Sequence, residues 1–300
     1  MIHGLVAATF TPMHPDGSLR FEQIGPLVEH LTGQGLAGLF LCGSTGEGAS
    51  LTTRERKQVV EAFVRATDGR LPILVHVGHN SLSEARDLAQ HAAEIGADAI
   101  ALAPPNYFPL GGAEAIASVL EHVAEAAPKT PLYYYHIPKL TRVEVDVREL
   151  LDIAATRIPS LQGVKYSDAS PDILQTLVAD YGDRINFLFG VDEMLMSGMV
   201  TGAHGAVGST YNFIGPLFGR VLAALEVGDL ATARELQEQA TRLILKIVGY
   251  APALASLKHM LKLSGVDCGP PRLPLRALSA EAAVALEADV RALGFEVTGE

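Results

Sequence analysis

A lysine at the end of a short apolar run is the first candidate for chemistry. The run Leu161-Gln162-Gly163-Val164-Lys165 is typical of a strand, and strand alternation places Leu161, Gly163 and Lys165 on one face. If that face is interior, burial disfavours the ammonium form, and the neutral amine is a nucleophile for a ketone carbon. The alternative is a lysine that marks the strand end and extends to water. The run alone leaves both interpretations open.

Hydroxyl groups follow another apolar run, in Gly43-Ser44-Thr45-Gly46-Glu47. The hydroxyl and backbone N–H groups of Ser44 and Thr45 could hold a carboxylate or phosphate oxygen. An ordinary polar turn between a strand and a helix would use the same residue types. This run therefore does not decide between a binding loop and a turn.

Tyrosines end a third apolar run, Tyr133-Tyr134-Tyr135-His136. Alternation places Tyr133 and Tyr135 on one face and Tyr134 and His136 on the other. Such a tyrosine is most often a packing residue with a hydrogen-bonded hydroxyl. A phenol facing Lys165 would instead transfer protons.

Acids and hydroxyls follow two later runs, in Gly190-Val191-Asp192-Glu193 and Gly208-Ser209-Thr210-Tyr211-Asn212. Asp192 and Glu193 could bind a ligand, or could be first-turn acids that stabilise a helix dipole, a role we expect for one of them. A competing hypothesis is a divalent-metal site built from His76, His79, Glu47 and His204. No sequence spacing fixes a third ligand, and His204 is expected to begin a strand at the opposite end.

Short apolar runs alternate with helical patterns along the chain, which predicts parallel βαβ units. Eight strands are predicted, and eight strands can close a (β/α)₈ barrel, an α/β fold with its active site at the carboxyl ends of the strands. A doubly wound sheet would need a glycine-rich phosphate loop after the first strand, where the chain has Thr9-Phe10-Thr11-Pro12. The predicted strands are 2–8, 36–42, 72–77, 97–102, 131–136, 160–165, 185–190 and 204–208.

The strand pattern stops after Ser209, and the rest of the chain has helical spacing. The first helix, over residues 212–227, can complete the barrel, so we predict a catalytic barrel domain at 1–228 and a helical extension packed on it at 229–300. Strands of the barrel are separated by predicted helices at 21–32, 53–66, 81–95, 113–126, 147–155, 170–179 and 193–200. Three further helices are predicted at 230–250, 252–264 and 279–293.

The composition excludes several classes of protein. Hydrophobic residues make up 48% of the 300 residues, and the net charge of −11 comes with no basic run, which argues against a nucleic-acid or anionic-membrane partner. Two cysteines are too few for a disulfide framework. Neither a signal peptide nor a long apolar span is visible, so a cytoplasmic location is expected.

Three of these runs together resemble the dihydrodipicolinate synthase and N-acetylneuraminate lyase superfamily. They are Gly43-Ser44-Thr45-Gly46-Glu47, Tyr135-His136-Ile137-Pro138 and Gly163-Val164-Lys165, in the same order along the chain. The resemblance covers essentially the whole chain. It implies a barrel with a helical extension, a homo-oligomer that is usually a tetramer, and a Schiff base between lysine and a 2-keto acid without metal or other cofactor.

The resemblance also implies roles for individual residues. Lys165 would form the Schiff base and Tyr135 would relay protons, while Ser44 and Thr45 would bind the keto-acid carboxylate. Tyr107 resembles a tyrosine that members lend to a neighbouring subunit, and the alternative, a simple interface or loop aromatic, stays open. The sugar end of the substrate would be lined by Ser167, Gly190, Asp192, Glu193 and Ser209.

Local features favour one branch of that superfamily. Synthases carry an arginine for a second carboxylate two residues after the proline of the tyrosine motif, where this chain has Leu140. The run is more similar to the neuraminate lyases, which implies cleavage of the sialic acid N-acetylneuraminate into N-acetylmannosamine and pyruvate. Arg142 departs from the glycine that often follows the threonine. Another pyruvate-dependent aldolase or dehydratase, or a keto-acid-binding sensor on the same barrel, remain alternatives.

Overall fold

The computed structural model describes residues 1–296 and consists of a closed barrel surrounded by helices. The barrel strands are consecutive and parallel in the order β1 to β8, and β1 closes the barrel by pairing with β8 at Gly4 and Gly205. The predicted (β/α)₈ barrel is therefore confirmed. The strands are β1 Gly4–Ala8, β2 Gly38–Leu41, β3 Ile73–His76, β4 Ala99–Leu102, β5 Leu132–His136, β6 Leu161–Tyr166, β7 Asn186–Phe189 and β8 Gly205–Gly208.

Helices connect successive strands, and their ends follow from local sequence. Thr52 and Glu55 form a capping box, in which each side chain bonds the other's backbone N–H, and this starts the helix Thr53–Thr67. A short helix, α5, was not predicted, because its four residues carry no helical period. The barrel helices are α1 Ile24–Thr32, α2 Thr53–Thr67, α3 Leu82–Glu94, α4 Gly112–Ala124, α5 Pro138–Thr141, α6 Val147–Arg157, α7 Pro171–Tyr181, α8 Leu195–Val200 and α9 Tyr211–Glu226.

The predicted C-terminal helices are present as α10 Leu230–Val248, α11 Ala253–Leu263 and α12 Ala280–Ala292. Helix α10 packs against α9, and α11 and α12 pack against α10. The division of the chain at residue 228 stays a prediction, and residues 297–300 of the predicted extension lie outside the described residues. Over residues 1–296, no single helix is long and apolar enough to cross a membrane; α10 and α11 satisfy that criterion only as a pair bent by 119°.

Two apolar clusters hold the barrel together. The larger one lies between the strands and the helices, and the smaller one fills the barrel interior. Burying a large apolar side chain contributes about 1.5–3 kcal/mol, so both clusters stabilise the strand arrangement that positions the site. The interior cluster consists of Val6, Ala8, Phe40, Leu74, Ala99, Ala101, Tyr133, Tyr135, Leu188 and Val207.

One detail of strand β6 differs from the prediction. Leu161 belongs to the cluster on the helix side, so the expectation that it shares the inward face of Lys165 is wrong. The physical reason is a register shift: Leu132 pairs with Leu161 but the next residue, Tyr133, pairs with Gly163. The extra residue of β6 reverses the alternation of inward and outward side chains on the amino-terminal side of Gly163.

Candidate active site

Lys165 lies inside the barrel, near the carboxyl end of β6. It is 4% exposed, and its Nζ is 4.0 Å from the ring centroids of both Phe40 and Tyr135. The inward placement predicted from the sequence is therefore confirmed, and the alternative of a lysine extending to water is wrong. An amine enclosed by two aromatic rings is restricted in position and is shielded from bulk water.

The space below the lysine depends on a glycine. A Cβ at Gly163 would lie 2.1 Å from Cε1 of Tyr133, so only glycine leaves room for that ring. The Tyr133 hydroxyl donates to Oδ1 of Asn186 at 2.8 Å, and burial raises its pKa to about 12. Tyr133 is thus a packing residue that closes the barrel interior beneath Lys165.

Tyr135 and the loop after β2 meet at the carboxyl end of the barrel. The Tyr135 hydroxyl is 3.5 Å from Oγ of Ser44, and Oγ1 of Thr45 is 2.6 Å from Oγ of Ser209. Tyr135 is directly paired with Lys165 across β5 and β6. The structure therefore brings together the lysine, the phenol and three of the predicted hydroxyl groups.

A cavity of about 400 Å³ opens beside these residues. Ser44 and Tyr135 line it together with His76 and Leu140. Its size is that of a small-molecule site, and such sites combine an apolar wall with a few placed polar groups. The cavity can admit a small polar ligand towards the Tyr135 hydroxyl.

The carboxyl group of Asp192 is held in place by residues at the end of β8. Its Oδ2 accepts hydrogen bonds from N and Oγ1 of Thr210, at 2.9 and 2.6 Å. Burial raises the pKa of this carboxyl, although the two hydrogen bonds from Thr210 oppose the shift. A Cβ at Gly208 would lie 2.1 Å from Oδ1, so the glycine allows the carboxyl group to approach.

The remaining residues predicted at the sugar end have different surroundings. Ser167 and Gly190 lie against each other, because a Cβ at Gly190 would be 2.0 Å from Oγ of Ser167. Glu193 lines a groove beside α10, and its carbonyl accepts a hydrogen bond from Thr241 at 3.0 Å. Of the two acids, Asp192 therefore points into the barrel end, whereas Glu193 borders the outer groove.

Sequence reasoning missed a buried arginine at the cavity wall. Arg56 is 1% exposed and donates to the carbonyl oxygens of Gly78, at 2.8 Å, and of His76. It occupies the polar-looking helix α2, where nothing in the pattern distinguishes it from solvent-exposed neighbours. The guanidinium brings positive charge close to the site.

His76 is held by backbone groups. Its Nδ1 is 3.1 Å from the carbonyl oxygen of Cys42, and its Nε2 accepts from the N–H of Ala103 at 3.4 Å. Burial, with a further contribution from Arg56, lowers the pKa of His76 to about 3. The ring is therefore a neutral structural link between strand ends.

The other residues of the metal hypothesis have different partners. Glu47 and His79 line the same cavity as His76, but Glu47 pairs with Lys258 at 2.7 Å and Nδ1 of His79 accepts from the N–H of Ser81 at 2.9 Å. His204 contacts His3 at the amino end of the barrel, as its predicted position requires. Across residues 1–296, no group of three or more His, Cys, Asp or Glu side chains is arranged to hold a metal ion.

Tyr107 lies outside this cluster, on the loop after β4. It is 79% exposed and its ring makes an edge-to-face contact with Phe108, with centroids 5.1 Å apart. An exposed aromatic pair of this kind is typical of an interaction surface.

The loop after β5 contains Arg142, which stands where the resembling family often has glycine. This residue has φ of 58°, in the left-handed region that glycine favours, and it ends α5. Leu140, in α5, is 56% exposed and places an apolar side chain at the cavity wall.

Comparisons with known proteins agree with this arrangement. The N-acetylneuraminate lyases of Rattus norvegicus and Homo sapiens are 44% and 43% identical over 298 residues, covering 98% of this chain and 93% of each relative. The solved N-acetylneuraminate lyase (sialic acid aldolase) of Aliivibrio salmonicida superposes with a TM-score of 0.94 at 33% identity, covering 98% of this chain and 97% of that chain. The model of the Dihydrodipicolinate synthetase family matches residues 1–293. The chain belongs to this family.

Proposed function

We propose that the protein is a class I aldolase that cleaves N-acetylneuraminate into N-acetylmannosamine and pyruvate. The observation that carries the proposal is Lys165, enclosed in the barrel interior next to Tyr135. Support for the substrate comes from the relatives, which are named N-acetylneuraminate lyases over nearly the full chain.

The chemistry begins when the Lys165 amine attacks the keto carbon of the open-chain sugar. Loss of water gives an iminium, which accepts the electron pair of the C3–C4 bond when that bond breaks, while the C4 hydroxyl loses its proton. The resulting enamine is protonated at C3, and hydrolysis releases pyruvate and the free lysine. Tyr135 moves protons during imine formation and, together with the substrate's own carboxylate, assists removal of the C4 hydroxyl proton.

The surrounding groups orient the substrate. Ser44 and Thr45 hold the carboxylate by hydrogen bonds, partly from backbone N–H groups, and the positive charge of Arg56 favours an anion nearby. Asp192, Ser167, Gly190 and Ser209 border the sugar end, with Glu193 at its edge. Leu140 offers no charge for a second carboxylate, and leaving one unpaired costs about 2–5 kcal/mol.

The quaternary state is part of the same proposal. We expect a homo-oligomer, and a tetramer in particular, in which Tyr107 contributes to the site of a neighbouring subunit. Its exposed aromatic pair with Phe108 supports this expectation. Size-exclusion chromatography with light scattering measures the assembly, and a cytoplasmic location stays a prediction.

The decisive experiment combines a substrate comparison with trapping of the imine. Pyruvate release from N-acetylneuraminate, coupled to lactate dehydrogenase, should be measurable, whereas condensation of pyruvate with aspartate semialdehyde should be negligible. Borohydride with pyruvate should add the reduced pyruvyl mass to the peptide that contains Lys165.

Variants and a chelator provide the controls. Lys165→Ala should abolish both activity and trapping, whereas replacing the exposed Lys129 by alanine should preserve both. Full activity of Lys165→Ala, or complete loss of wild-type activity in EDTA, would contradict the Schiff-base mechanism. A preference for aspartate semialdehyde would move the protein to the synthases, and binding of keto acids without turnover would indicate a sensor.

A further inference from the structure

The C-terminal extension reaches the loop that carries Ser44 and Thr45 through a buried ion pair. Nζ of Lys258, in α11, lies 2.7 Å from Oε1 of Glu47, and each side chain is 1% exposed. The same ammonium donates to the carbonyl oxygens of Thr11, at 2.9 Å, and Pro270, at 3.1 Å. Two hydrogen bonds and one ion pair therefore hold the ammonium in position.

Arg272, which follows α11, makes a second connection to the same loop. Its backbone N–H donates to Oε2 of Glu47 at 2.7 Å, and its Nη1 donates to the carbonyl oxygen of Ser50 at 2.9 Å. The guanidinium also pairs with Glu55 at 2.8 Å and donates to the carbonyl oxygen of Gly17. One arginine therefore joins the end of the loop, the start of α2 and the loop after β1.

The loop needs such support because its backbone is strained at two positions, one just before it and one within it. Cys42 and Glu47 have φ of 57° and 55°, in the left-handed region that non-glycine residues rarely adopt. Strained residues persist where the surrounding structure determines their conformation. Between them, the carbonyl oxygen of Gly46 accepts a hydrogen bond from Oγ1 of Thr11 at 2.7 Å.

Burial makes the connection between Glu47 and Lys258 obligatory. A carboxylate and an ammonium removed from water are each unfavourable alone, so the two must remain together. Because Lys258 belongs to α11 and Glu47 to the loop, the position of the extension determines the conformation of residues 43–50. Ser44 and Thr45 lie three and two residues, respectively, before Glu47.

We propose that Lys258 and Arg272 are positioning residues, which hold residues 43–50 in the conformation that binds the carboxylate of the keto acid. The proposal rests on the proposed function, since it concerns the same site. It gives the extension a role in substrate affinity as well as in packing. Neither residue is expected to touch the substrate.

Arg272→Ala is the main test, because Arg272 is partly exposed and its loss leaves the buried ion pair intact. The initial rate of borohydride trapping is measured against the concentration of pyruvate, and separately of its neutral methyl ester. The half-saturating pyruvate concentration should rise at least about tenfold, with the saturated rate within about threefold of the wild type. The half-saturating concentration of the methyl ester should change less than about threefold, because the ester lacks the charged carboxylate.

A second variant and a matched control complete the experiment. Lys258→Met combined with Glu47→Gln removes both charges of the buried pair and should give the same selective loss of pyruvate affinity. Arg157→Ala is the control, since Arg157 pairs with Glu114 and Glu121 on the outer helices and should leave trapping unchanged. Circular dichroism identifies variants that do not fold. If the double variant does not fold, the result for Arg272→Ala alone decides the proposal.

The outcomes separate this proposal from the proposed function. Absence of a pyruvate adduct in the wild type would refute the proposed function and this proposal with it. A wild-type adduct, with unchanged pyruvate half-saturation in Arg272→Ala, would refute the positioning role alone. Equal weakening for pyruvate and its ester would also refute it, because a general structural loss does not distinguish them.

Discussion

Gly163→Ala should destabilise the barrel from its interior. An added Cβ would lie 2.1 and 2.2 Å from Cε1 and Cδ1 of Tyr133, closer than atoms can approach. The ring cannot move aside freely, because Tyr133 is 4% exposed and its hydroxyl donates to Asn186 at 2.8 Å. Either the strands separate or the ring leaves its hydrogen bond.

The cost can be worked from these contacts. Overpacking of a filled core costs about 1–3 kcal/mol. Displacing the Tyr133 hydroxyl leaves a buried polar group without its partner, at about 1–3 kcal/mol more. Together these give a loss of about 2–6 kcal/mol in the free energy of unfolding. Because Lys165 is two residues further along β6, the turnover number should fall as well.

Urea unfolding followed by circular dichroism, at a fixed protein concentration, measures the loss. Gly219→Ala is the control: no atom lies within 4 Å of its added Cβ, and alanine favours the helix it occupies. Tyr133→Leu in the Gly163→Ala background should relieve the clash, so the double variant should lose at least about 1 kcal/mol less than the sum of the single variants. Additive losses, or a Gly163→Ala protein as stable as the wild type, would refute the argument.

Three further perturbations follow from single residues. Tyr135→Phe should lower kcat about 100-fold while leaving KM for the substrate nearly unchanged, as steady-state pyruvate release will show; a change in KM alone would make Tyr135 a binding or packing residue. Burial lowers the pKa of His136 from 6.5 to about 4. The unfolded chain therefore binds a proton that the folded chain does not, and stability present above pH 6.5 is lost as the pH falls towards 4, by up to about 1.4 kcal/mol per pH unit. His136→Asn should reduce that slope, measured by urea midpoints at pH 7 and pH 5, and an unchanged slope would contradict the assignment. Arg142→Gly should raise the free energy of unfolding by about 0.5–1 kcal/mol, since glycine adopts a left-handed φ of 58° without strain. Urea unfolding measures this change, and a variant less stable than the wild type would contradict the prediction.

The sequence by itself determined the barrel and the residues at its carboxyl end. Apolar runs of strand length alternate with helical periods, and each of these signals is local, so the eight strands could be placed to within about two residues. In a parallel barrel all strand ends of one kind meet, and for that reason Lys165, Tyr135 and Ser44 could be grouped without coordinates. Their types and order also sufficed for the resemblance to the family.

Tertiary structure decided the features that depend on contacts distant in sequence. The shift that turns Leu161 towards the helices arises from pairing with β5, which alternation within one strand cannot reveal. Arg56 resembles any charged residue on a polar helix until packing buries it among backbone carbonyl groups. The outward position of Glu193, next to an inward Asp192, depends on how α10 packs beside them.

The buried pair of Glu47 and Lys258 is the extreme case, since its partners are separated by most of the chain. Glu47 lies in a recognisable motif, but nothing in the sequence pairs it with Lys258, and charged residues are mostly exposed. Their burial results from the folding of α11 against the loop after β2, which brings opposite charges to 2.7 Å and excludes water from both. The local sequence thus fixes which groups stand at the barrel end, and only the long-range packing fixes how firmly they are held.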